Sequence, residues 1–151
     1  MTRLKKYPVI ISFYGELSSY LYRYPEPLYP HHPGVFDRPA WWASHGYLVF
    51  TPDIYFREGQ WGPSTVNTVE GAARYMRTLP YVDSTHLGAC GHSNSGRFGT
   101  YLFTHSKSFA AMSIGEGAGY SNVISHSLSV DRENGSWLEW AEKGAYAGDG
   151  G

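Results

Sequence analysis

Strand-sized apolar runs alternate with helix-period segments along the first 115 residues, and this alternation limits the possible fold more than any other feature of the chain. Tyr7-Pro8-Val9-Ile10-Ile11-Ser12-Phe13-Tyr14 is a β-branched and aromatic run with Gly15 behind it, and Gly46-Tyr47-Leu48-Val49-Phe50-Thr51 is a second that stops at Pro52-Asp53. Both read as buried strands, with a short helix over Trp41–His45 leading into the second. Between Thr65 and Leu79, the apolar residues Val66, Val69, Ala72, Ala73, Met76 and Leu79 recur at three and four, which predicts an amphipathic helix ended by Pro80. Asn67 with Glu70 could form its capping box, and Ser64 or Thr65 could equally cap it. A turn around Asp83-Ser84, a third strand at Leu87-Gly88-Ala89-Cys90, a helix from about Gly96 to His105 and a fourth strand over Phe109–Ile114 follow. Strands alternating with helices imply parallel pairing through right-handed crossovers. The expected fold class is therefore α/β, a mostly parallel central sheet with helices on both faces.

Two stretches stand outside this pattern. Leu17 to Pro39 holds Pro25, Pro27, Pro30, Pro33 and Pro39, whose fixed φ and missing N–H groups forbid helix or central strand, so it reads as a long loop. Near the end, Trp137 to Lys143 reads as one short helix and Gly148-Asp149-Gly150-Gly151 as a frayed end. With 151 residues and 42% hydrophobic content, the chain suits one domain over 1–151 rather than two. A formal charge of -1 without a run of Lys or Arg gives no footprint for nucleic acid or an anionic membrane. The apolar runs are strand-sized, short of the roughly 20 residues a membrane helix needs. A single cysteine, Cys90, precludes an internal disulfide and reads as a small buried thiol. His31-His32, with His45 and His92 elsewhere, lack ligand spacing, so neither a metal nor another cofactor is expected. No leader opens the chain, which as written reads as cytoplasmic; secretion or the periplasm stays open if residues precede Met1.

The chemistry concentrates at Gly91-His92-Ser93-Asn94-Ser95-Gly96, between the third strand and the helix after it. In a nucleophile elbow a serine occupies a sharp strand-to-helix turn, and the residues two before and two after it must be small. Gly91 meets that demand; Ser95 stands where the G-x-S-x-G pattern has glycine, with Gly96 next. In this reading Ser93 is the attacking residue, and the N–H of Asn94 at the positive helix end supplies half an oxyanion hole. The competing reading makes Ser93 an ordinary helix N-cap.

Three segments resemble the catalytic domain of prolyl oligopeptidase-family serine peptidases. They are Lys6-Tyr7-Pro8-Val9-Ile10-Ile11-Ser12-Phe13-Tyr14-Gly15, Ser44-His45-Gly46-Tyr47-Leu48-Val49-Phe50-Thr51-Pro52-Asp53, and Tyr81-Val82-Asp83-Ser84-Thr85-His86-Leu87-Gly88-Ala89-Cys90-Gly91-His92-Ser93. The similarity runs from about Lys5 to about Gly119 and implies an α/β-hydrolase domain with sheet order second-first-third-fourth. It also implies that Tyr14 donates its phenolic hydroxyl to the oxyanion; without the resemblance, Tyr14 reads as an aromatic packing under a loop.

The departure from that family lies after Ser93, where the triad order is Ser, then Asp or Glu, then His. This chain offers His105, His126, Asp131 and Asp149, in the wrong order or on a helix surface, so neither acid nor base is assigned. The expectation is a partial domain that stops before those loops, weakly active or inactive alone, with the missing remainder of its own domain as a partner. The substrate would be a peptide or a small ester. Gly115-Glu116-Gly117-Ala118-Gly119 lacks a phosphate-loop pattern and reads as an active-site loop, where Glu116 could meet a substrate amine or be a solvated charge. Asp53 and Arg57, past the second strand, read first as loop support. Two alternatives stay open: an esterase on the same fold, and a non-catalytic binding module with Tyr20, Tyr22, Tyr24, Trp41 and Trp42 as an aromatic platform.

Overall fold

Alternation along Tyr7–Phe13 sends Val9, Ile11 and Phe13 to one face, where all three are buried. The computed structural model, which describes residues 5–18, 22, 39–57 and 60–115, makes this segment strand β1. It is followed by α1 (Pro39–Ser44), β2 (Leu48–Phe50), α2 (Trp61–Thr78), β3 (Val82–His92), α3 (Asn94–His105) and β4 (Ala111–Gly115). The strands form one parallel sheet in the order β2-β1-β3-β4, as the resemblance implied. Ile11 stands opposite Phe50 on one side and Ala89 on the other, and Gly91 is flanked by Phe13 and Ile114.

The helices follow from this order. The connection from β1 to β2 steps to one side, whereas those from β2 to β3 and from β3 to β4 run the other way. Right-handed crossovers then put α1 on one face and α2 with α3 on the opposite face. Val69, Ala72, Ala73 and Met76 of α2 and Leu102 of α3 close a core over Val9, Ile11, Phe13, Leu87 and Ala89. The sheet is thus α/β with helices on both faces, matching the fold class read from the alternation. Cys90 points away from that core and is half-buried, not the fully buried thiol expected.

Several boundaries differ from expectation for identifiable reasons. Helix α2 starts at Trp61, four residues before Thr65, because Pro63 sits in the first turn, where an N–H has no intrahelical acceptor to lose. None of the anticipated caps forms: Gln60 occupies the cap position and makes no side-chain capping bond. Ser64 instead accepts the N–H of Arg57 at 3.2 Å, and Thr65 donates back to the Trp61 carbonyl at 2.9 Å. Glu70 reaches out of the helix to accept the hydroxyls of Ser106 and Ser108. The turn at Asp83-Ser84 is a bulge inside a longer β3, since Tyr7 pairs with Val82 while Val9 pairs with Leu87. There the Asp83 carboxylate accepts the N–H and hydroxyl of Thr85, at 3.1 and 2.7 Å. The helix read over Trp137–Lys143 lies outside the described residues.

Glu70 ties the chain that enters β4 to α2 through two hydroxyl donors on one half-buried carboxylate. Glu70→Ala leaves both hydroxyls without that acceptor and is expected to cost about 1–3 kcal/mol, measured by urea unfolding. A loss below a few tenths would show the two bonds to be dispensable.

Candidate active site

In an open parallel sheet, ligands bind beyond the carboxyl ends of the strands where the strand order reverses. Here the reversal lies between β1 and β3, whose outgoing connections run to opposite sides. The residues leaving those two ends are Tyr14 and Ser93, so the topology brings together two residues that lie far apart in sequence.

Ser93 occupies the corner between β3 and α3 with φ 58° and ψ -122°, alone among the described non-glycine residues in having a positive φ. A side chain in that region costs about 1–3 kcal/mol and persists only where its surroundings impose it. They do so here through backbone contacts on every side. The Ser93 N–H donates to the Gly115 carbonyl at 3.0 Å, and the Gly96 N–H donates to the Ser93 carbonyl at 2.9 Å. Ser95, 0% exposed, accepts the His92 N–H and donates to the His92 carbonyl, each at 2.7 Å. The hydroxyl that replaces the usual glycine is therefore fully satisfied and closes a ring across the bend. Gly91 is required by space: a Cβ there would lie 2.6 Å from the Ser95 carbonyl oxygen and 2.9 Å from the Phe13 ring.

The N-cap role is not met, since Ser93 has neither an extended cap backbone nor a side-chain capping bond. The residue is half-buried rather than sealed. Helix α3 starts at Asn94, so its first N–H groups, which lack intrahelical acceptors, and its positive end adjoin the corner.

Tyr14 leaves β1 beside this corner, since Phe13 pairs with Gly91, and is 38% exposed. The turn that carries it is tied to the exit of β2. Asp53 accepts the N–H groups of Leu17 and Ser18 at 2.6 and 2.7 Å, and the Ile54 N–H donates to the Gly15 carbonyl at 2.9 Å. Hydrogen bonds from the Ser18 side chain and backbone, joined by the Leu17 N–H, hold the Asp53 carboxyl below its ordinary range. Asp53 is loop support, as is the Arg57 N–H bonded to Ser64. Beneath the turn, Phe56 and Trp61 stack at 4.2 Å, with Phe98 of α3 at 5.1 Å from Phe56.

The Gly115 carbonyl, the Ser95 ring and this aromatic stack were not read from the sequence. A backbone carbonyl carries no residue signature, and the other two depend on contacts between elements. His105 lies exposed at the far end of α3, about 18 Å of helix from Ser93, stacked on Tyr101 and 2.9 Å from the Tyr101 carbonyl. Trp41 and Trp42 meet edge-on at 85°, and Trp42 meets Tyr47 at 89°, so they offer no flat aromatic row. Glu116, Tyr20, Tyr24, His31, His32, His126, Asp131 and Asp149 lie outside the described residues. Among the described residues no three His, Cys, Asp or Glu side chains gather as a metal site, and no helix is long and apolar enough to cross a membrane.

Gly91→Ala is expected to lose about 1–3 kcal/mol in denaturant unfolding, because its methyl group must displace backbone or the Phe13 ring. Wild-type stability would contradict the close approach. The depressed Asp53 carboxyl contributes stability that is present above its unfolded pKa and lost as pH falls through its lower folded value. Following the Leu17 and Ser18 amide resonances in acid checks this, with a midpoint below the ordinary aspartate range expected.

Comparison with known proteins gives a likeness at the level of structure. No family model matches the chain, and no curated protein matches it. Among solved structures, the chain resembles a crystal structure from Bacteroides ovatus titled a "putative dipeptidyl aminopeptidase IV". The two are 25% identical with a TM-score of 0.53, over 74% of this chain and 17% of that one. The chain thus spans about one sixth of that structure's length. This four-stranded parallel sheet with its corner at Ser93 has a fold like that of a hydrolase of the peptidase type.

Proposed function

We propose that the chain carries the nucleophile-bearing part of a serine peptidase of the prolyl oligopeptidase type. The observation that supports this best is the positive φ of Ser93 at a strand–helix corner, a strained geometry expected where a hydroxyl must be presented. In this reading the Ser93 Oγ adds to a peptide carbonyl, its proton passing to a base, and the carbonyl electron pair moves onto oxygen. The Asn94 N–H and the Tyr14 hydroxyl stabilise that oxyanion, and Gly91, Ser95 and Gly96 support the turn. Collapse of the tetrahedral adduct expels the amine and leaves an acyl-serine for water to hydrolyse. The base and its acid belong to the remainder of the domain, which is the proposed partner of this segment. Without them turnover falls to the slight rate that oxyanion donors and binding sustain.

A fluorophosphonate probe on the protein together with that remainder tests the assignment. Labelling is expected to map to Ser93 and to vanish in Ser93→Ala; labelling that persists, or maps elsewhere, overturns it. Tyr14→Phe is expected to lower kcat about 10²–10³-fold, the usual loss for one oxyanion donor. Paired amide and ester substrates separate the esterase alternative, which cleavage of esters alone would favour.

A further inference from the structure

We infer that Asp53 is a positioning residue for Tyr14: its carboxylate, planted at the exit of β2, holds the turn that aims the phenol at the Ser93 corner. This rests on the reading of Tyr14 as an oxyanion donor and adds a residue that acts only through it. Residues 14–18 are all that separates the end of β1 from the long proline-rich segment that follows. Tyr14 leaves β1 through this turn, so whatever fastens the turn sets where the ring stands. Asp53 fastens it at Leu17 and Ser18, and the Ile54 N–H fastens it at Gly15, so hydrogen bonds at three successive points of the turn join two short segments.

The anchor is itself fixed. Pro52 and Ile54 on either side of Asp53 are both buried, Ile54 within the main core, so the carboxylate projects from backbone that cannot drift. Phe56, two residues on, lies against Gly15, where a Cβ would stand 3.8 Å from its ring. The Ser93 corner is held by a separate set of contacts, to Gly115, Gly96 and Ser95, none of which involves Asp53. Loss of the carboxylate therefore loosens the turn at Leu17 and Ser18, next to Tyr14, while leaving these contacts of the Ser93 corner in place. The expected signature is a fall in kcat with little change in KM, because a donor to the oxyanion acts in the transition state.

The test compares wild type, Asp53→Ala, Tyr14→Phe and the double variant in the full chain. In Asp53→Ala, amide exchange at Leu17 and Ser18 is expected to rise more than tenfold and the Tyr14 ring resonances to shift, with Val69 and Ala73 of α2 still protected. Unchanged Tyr14 resonances overturn the inference. Should α2 lose protection as well, Asp53→Asn, which retains one acceptor oxygen without the charge, is judged by the same criteria. With the remainder of the domain present, Asp53→Ala is expected to slow fluorophosphonate labelling of Ser93 at least tenfold. In the Tyr14→Phe background the same change is expected to add less than twofold, because both act through one group; losses that multiply overturn it. If wild type is not labelled at Ser93, the acyl-transfer reading falls, and the resonances of Tyr14 alone decide whether Asp53 positions it.

Discussion

A serine held at φ 58° is the constraint around which the described structure is arranged. An L-residue adopts that backbone only at a cost of about 1–3 kcal/mol, so each neighbour must make the alternatives worse. Gly91 lets the helix backbone approach to a distance that no side chain would allow. Ser95 bridges the N–H and carbonyl of His92, and Gly115 takes the N–H of Ser93. These contacts require β3, α3 and β4 to be packed together, so the corner exists only in the assembled sheet. Local strain and long-range packing are here one feature.

Parallel topology supplies the second half of the arrangement. Because β1 and β3 are neighbours whose outgoing connections diverge, Tyr14 leaves the carboxyl end of one strand and α3 begins just past the end of the other. In the proposed reading this places a phenol and the N–H of Asn94 where negative charge develops, both of them neutral donors. Phe56, Trp61 and Phe98 stack below the turn and couple the exit of β2 to both helices of one face.

The departures from the sequence pattern have a common cause. The periodicity placed the helix from Thr65, yet a first turn tolerates Pro63, and α2 gained a turn that carries Trp61 into the aromatic stack. Glu70 looked like a capping partner but crosses to Ser106 and Ser108 instead. Ser95 stands where the elbow pattern has glycine, and it is a hydrogen-bonded brace. In each case local rules named the residue's capability, and a neighbouring element chose how it was used. Asp83 is the converse, since its short-range bonds to Thr85 survive even though the expected turn is absorbed as a bulge in β3.

What the amino-acid sequence determined by itself was the set of elements and their class. Periods of two and of three to four residues distinguish strand from helix, and their alternation leaves a parallel sheet covered on both faces as the main way to bury the apolar positions. It also marked Gly91, Ser93 and Gly96 as a tight turn between strand and helix. Only the tertiary structure decided that Phe13, the residue before Tyr14, pairs with Gly91, that Asp53 holds the turn bearing Tyr14, and that the Gly115 carbonyl secures the corner. The physical reason is that propensity and periodicity act within a few residues. These contacts join segments tens of residues apart, and they form only when the core of Val9, Ile11, Phe13, Leu87 and Leu102 brings the strand ends together.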